Sequence, residues 1–68
     1  MTGKEVLRVI RSLGGVEVRQ KGSHVRVRLR QCTTTVPVHA GEDLRAGTLH
    51  QIEKDLEPCL WPGWLTGR

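Results

Sequence analysis

Between Arg19 and Arg30 the chain carries five basic residues (Arg19, Lys21, Arg26, Arg28, Arg30) and no acid, and His24 stands among them. From His24 onward a basic residue recurs at every second position, with Val25, Val27 and Leu29 between. Imidazole titrates near neutrality and can take or give a proton. Guanidinium groups stabilise charge that grows on phosphorus oxygens. Cleavage of RNA by its own 2′-hydroxyl needs both, because the attacking hydroxyl loses a proton and the leaving 5′-oxygen gains one. That route requires neither metal nor cofactor. Cys32, His39, His50 and Cys59 have spacings that match no common zinc site. A histidine at a strand entrance also serves simply to hydrogen-bond the neighbouring turn, so the row suggests catalysis without singling it out.

The charge is segregated. The net charge is +4 with an isoelectric point near 9.8, yet residues 42–57 hold five acids against Arg45 and Lys54, a local net of −3. A concentrated basic face draws polyanions by counterion release and long-range steering. At 68 residues there is room for one domain. Its core must be aliphatic, since Phe and Tyr are absent and both Trp fall in the last eight residues. An enclosed substrate cavity is therefore not expected, and binding belongs on an open surface. No apolar run approaches the length of a membrane span. The opening residues lack the apolar segment of a signal peptide, so a cytoplasmic location is expected. In that setting Cys32 and Cys59 read as free thiols.

The elements that would position the basic row follow from periodicity. Thr2-x-x-Glu5 is a capping box for a helix running to about Leu13. That helix carries Val6, Val9, Ile10 and Leu13 on one stripe and Lys4, Arg8 and Arg11 on the other. Gly14-Gly15 closes it. Three alternating segments follow, and alternation means strands with one buried and one wet face. Val16 and Val18 mark the first, Val25, Val27 and Leu29 the second, and Thr34, Val36 and Val38 the third. A turn around Lys21-Gly22 would pair Val18 with Val25 and Val16 with Val27. It would set Arg19 opposite His24 and Glu17 opposite Arg26. Depending on the next turn, His39 would face His24 or Arg26 across the sheet. Thr48-x-x-Gln51 predicts the cap of a second helix, with Leu49, Ile52 and Leu56 inward and Pro58 at its end. The order is α-β-β-β-α, an α+β domain with a three-stranded antiparallel sheet and both helices on one face. The tail Cys59-Leu60-Trp61-Pro62-Gly63-Trp64-Leu65 is apolar and unpatterned. It either folds back over the core or meets a partner chain.

From Thr2 to about Leu56 the chain resembles the HicA toxins, small messenger-RNA endonucleases paired with HicB antitoxins. The resemblance lies in Gly3-Lys4-Glu5-Val6-Leu7, Leu13-Gly14-Gly15, Arg19-Gln20-Lys21-Gly22-Ser23-His24, Thr35-Val36-Pro37-Val38-His39 and Gly47-Thr48-Leu49-His50-Gln51-Ile52. It implies a fold like that of double-stranded-RNA-binding domains, a toxin domain over residues 1–57 and an added tail over 58–68. It also implies metal-independent cleavage of messenger RNA and a HicB-like antitoxin. The histidine of its Gly-Ser-His box is catalytic, which points here to His24, and the alternation of the third strand independently offers His39 as a second group. Arg19, Lys21, Ser23, Arg26, Arg28 and Arg30 are the expected RNA contacts. Two other readings use the same basic face. One is a non-catalytic binder of structured RNA, which would want lysines at the start of the second helix. The other is a protein-interaction module docking an acidic partner.

Overall fold

A computed structural model describes residues 1–67 of the chain. Helix α1 spans Gly3–Ser12 and opens on the expected capping box. The Thr2 N–H donates to Glu5 Oε1 at 2.8 Å, and the Glu5 N–H to Thr2 Oγ1 at 3.2 Å. The bond from the Thr2 N–H holds the Glu5 carboxyl below its ordinary range. Strands β1 (Val16–Lys21), β2 (His24–Leu29) and β3 (Cys32–Pro37) form an antiparallel sheet in the order β1-β2-β3. Helix α2 (Ala46–Leu56) and a single 3₁₀ turn (Glu57–Cys59) complete the α+β, α-β-β-β-α order. No helix among the described residues is long and apolar enough to cross a membrane.

The core is aliphatic, as the composition dictates. Val6, Leu7 and Ile10 of α1 and Ile52 and Leu56 of α2 pack with Val25, Val27, Leu29 and Val36 of the sheet. Leu7 is buried, whereas Val9 and Leu13 sit at the margin. Thr34 shares the buried face, where its hydroxyl donates to Asp55 of α2 at 2.8 Å. That bond satisfies the hydroxyl and ties α2 to β3. At Gly3 the helix backbone runs so close to Pro37 and Val38 that any Cβ would collide with the Pro37 carbonyl. This contact fixes the start of α1 against the C-terminal end of β3.

Several expectations are corrected. β1 has no buried face: all six of its residues are exposed, Val16 by 50% and Val18 by 48%. Val18 forms a bulge, so the strand pairs Lys21 with His24 and Arg19 with Arg26, then shifts to pair Glu17 with Val27 and Val16 with Arg28. The turn is the two residues Gly22-Ser23, and Gly22 supplies the positive φ of 58° that it needs. Glu17, turned toward the helices, meets Arg11 at 2.9 Å. Helix α2 begins two residues before Thr48, after Arg45, and no side chain caps it.

The tail folds back. Trp64 is buried in the core, and its indole N–H donates to the Glu53 carbonyl at 2.8 Å. The buried Glu53 carboxylate accepts from the backbone N–H groups of Leu65 and Thr66 and from the Thr66 hydroxyl. Cys32 and Cys59 are not free thiols but a disulfide. Cys32 opens β3 directly beside the 3₁₀ turn, and their Cα atoms stand 6.1 Å apart, ordinary bridging distance.

Candidate active site

Both helices cover one side of the sheet, which leaves the other side to solvent. β2 presents His24, Arg26 and Arg28 there, all exposed, while Val25, Val27 and Leu29 alternate into the core. Cross-strand partners share a face, so β1 adds Lys21 beside His24 and Arg19 beside Arg26, and β3 adds Thr35 and Thr33 beside Arg26 and Arg28. The result is a cationic strip two strands wide with a histidine at one end. The His24 ring makes no hydrogen bond among the described residues, so it is not spent on holding the adjacent turn.

Of the eight residues singled out from the sequence, five share this face: Arg19, Lys21, His24, Arg26 and Arg28. Ser23 lies in the adjoining turn, half-buried, and its carbonyl accepts the Val38 N–H. Arg30 leaves the row. It sits in the two-residue turn Arg30-Gln31 at φ 57° and reaches the Cys59 carbonyl at 3.4 Å. The expected strand register would have carried Arg30 onward, but the tight turn stops β2 at Leu29.

His39 is also displaced. Pro37, not His39, lies opposite His24, and neither expected pairing of His39 with His24 or Arg26 occurs. The turn between β2 and β3 comes earlier than either expected register assumed. His39 falls two residues past β3, exposed, after Val38, whose N–H reaches the Ser23 carbonyl. It remains at the His24 end of the sheet without pairing in it.

Two residues that sequence reasoning missed are Thr33 and Thr35. The Arg26 Nη1 donates to Thr35 Oγ1 at 2.9 Å and Nη2 to Thr33 Oγ1 at 2.8 Å. Once the register is known, their places opposite Arg28 and Arg26 identify them. The alternation alone gave them no role.

Electrostatically the strip is unbalanced. The ion pairs among the described residues, Met1 with Asp43 and Arg11 with Glu17, lie elsewhere, so none of Arg19, Lys21, Arg26 and Arg28 is paired with an acid. Like charges directly across a sheet cost stability, and here Arg19 faces Arg26. A sheet designed for stability alone would not keep that arrangement, and such local conflict is typical of functional surfaces. Arg19→Glu should accordingly stabilise the fold by about 0.5 kcal/mol, an opposite pair replacing a like one. A urea titration reads this as a higher midpoint with the same slope. A lower midpoint would mean that the like-charge pairing carries no cost.

The face is solvent-exposed along β2 and suited to an extended anionic ligand. It offers one unencumbered imidazole within a field of fixed positive charge. A family model described as HicA toxin of bacterial toxin-antitoxin matches residues 3–57. No curated protein and no solved structure matches the chain.

Proposed function

The chain belongs to the HicA family of toxins from bacterial toxin–antitoxin systems, and from that premise we propose that it is an endoribonuclease that cuts messenger RNA on its open sheet face. The observation that carries this reading is the unencumbered His24 at the end of a cationic strip that no ion pair neutralises among the described residues. The strip holds the phosphate backbone of a single strand with little regard to sequence. His24 takes the proton of a 2′-hydroxyl, and that oxygen attacks the adjoining phosphorus. The bond from phosphorus to the 5′-oxygen breaks, and the departing oxygen takes up a proton. For that second proton the fold offers His39, exposed at the same end of the sheet. Lys21, directly across from His24, lowers the cost of charge on the phosphate oxygens, and Arg19, Arg26 and Arg28 bind the strand further along. No step draws on a metal or cofactor.

A toxin of this kind has an antitoxin partner. We assign that partner to the HicB type and place it over the His24 end of the strip, where it would exclude RNA. A purely RNA-binding role is less well supported, because the first turn of α2, Ala46-Gly47-Thr48-Leu49, carries no lysine or arginine to grip phosphates across a groove.

The test is direct. Incubated with RNA, the purified chain should yield fragments ending in a 2′,3′-cyclic phosphate. It should leave untouched the same strand made with deoxyribose throughout. Cutting of the all-deoxy strand would overturn the mechanism, since no 2′-hydroxyl would then be the nucleophile.

A further inference from the structure

Arg26 differs from every other cation on the strip. Arg19, Lys21 and Arg28 have no hydrogen-bonded side-chain partner among the described residues, whereas both terminal nitrogens of Arg26 are held, by Thr35 and Thr33 respectively. The partners are neutral hydroxyls, so the guanidinium is fixed in place and keeps its full charge. Two of its five N–H donors are used and three remain free. The direction in which it leans also has a cause. Arg19 stands directly opposite Arg26 on β1 and repels it, while β3 offers acceptors on the other side.

The lean has a consequence for what Arg26 can reach. Thr35 is its direct partner, but Thr33 lies opposite Arg28, one step further from His24. The guanidinium therefore rests near the level of Val27, about 10 Å along the strand from His24 at about 3.3 Å per residue. A group that far away does not touch the phosphate on which His24 acts. It is placed for a neighbouring phosphate of the same strand.

We infer that Thr33 and Thr35 are positioning residues, which hold the Arg26 guanidinium ready for a backbone phosphate next to the one that is cleaved. The inference rests on the endoribonuclease reading and specifies how that site sets the strand in register. An arginine held before binding loses less conformational freedom when the ligand arrives. The threonines thus act through Arg26, on binding more than on chemistry. The ordinary explanation for a Thr-Thr-Thr run is strand propensity alone, and the experiment must distinguish the two.

Thr33→Val with Thr35→Val removes both hydroxyls and keeps the β-branched shape that the strand prefers. Affinity for an RNA oligonucleotide blocked at its cleavage site should fall about tenfold, and KM for the cleavable strand should rise alike. The rate at saturating RNA should stay within about twofold of the parent. Thr33→Ser with Thr35→Ser, which restores the hydroxyls, should recover the affinity. In an Arg26→Ala background the valine pair should have no further effect, as expected of groups that act through one another. In the free protein, NMR of the Arg26 Nε–H should report hindered guanidinium rotation that the valine pair releases. Parental affinity in the valine pair would overturn the inference, as would a full additional loss in the Arg26→Ala background. If the parent chain itself binds no RNA, the endoribonuclease reading falls and this inference with it, an outcome distinct from the other two.

Discussion

Replacement of His24 by alanine is expected to slow RNA cleavage by about two to four orders of magnitude, the usual worth of one proton-transfer group, and to leave fold and RNA affinity nearly unchanged. Each half of that expectation has its own ground. His24 is exposed and outside the core, and its ring makes no hydrogen bond among the described residues, so its loss removes no packing and strands no buried partner. Lys21 across the ladder and Arg26 and Arg28 along it remain in place, and in the proposed mode they would still hold the strand. Removing Lys21 from a neighbouring position should instead weaken binding, so affinity and turnover separate the two roles. Thermal unfolding, an equilibrium RNA titration and a single-turnover rate on the same preparation measure all three quantities. A folded His24→Ala protein that cuts RNA at the parental rate would remove the catalytic assignment altogether.

How far the sequence disclosed this site depends on what alternation can and cannot specify. Helix α1 was legible to within a residue of its C-terminal end, because the Thr2–Glu5 box is local and leaves a local signature. The inward and outward faces of β2 and β3 were legible as well. Valines at every second position allow one parity only, and the burial of Val25, Val27, Leu29, Thr34 and Val36 follows from it. Parity does not choose among registers that differ by two residues, since each keeps the same residues inside. The choice falls to the turns. Gly22-Ser23 and Arg30-Gln31 are both two residues long, and the second has no glycine to announce it, since Arg30 itself takes the left-handed conformation. That one turn moves His39 out of the sheet and Thr33 and Thr35 onto the arginines. β1 escaped even the parity argument, because the bulge at Val18 changes the face halfway along. The burial of Glu53 and the joining of Cys32 to Cys59 are contacts between residues remote in sequence, for which no periodic pattern exists.

Trp64→Ala is expected to destabilise the domain by about 3–5 kcal/mol, the range for deleting a large buried aromatic side chain. The family match ends at residue 57, so Trp64 lies outside it, and yet it belongs to the core beside Ile52 and Leu56. In a chain with neither Phe nor Tyr it is the one aromatic ring buried there, since Trp61 is exposed. Its removal opens a void against residues too short to fill it and frees the Glu53 carbonyl of its donor. The loss is comparable to the whole stability of a 68-residue domain, about 3–10 kcal/mol at ordinary values per residue. The midpoint of thermal unfolding should drop by at least about 12 °C. The Cys32–Cys59 disulfide keeps the chain tethered up to the start of the tail, so the same substitution should be more damaging under reducing conditions, where that constraint, worth about 3 kcal/mol, is also lost. Acid provides an independent check on the tail. Hydrogen bonds, first that from the Thr66 N–H, hold the Glu53 carboxyl below its ordinary value of 4.5. A depressed carboxyl contributes its stability fully above the unfolded value and loses it as pH falls through the folded one. The parent should therefore lose stability below about pH 4.5 from this group, and Glu53→Gln should lose less over the same interval. A Trp64→Ala protein melting within a degree or two of the parent would mean that residues 58–67 are an appendage and that the domain's core is complete without them.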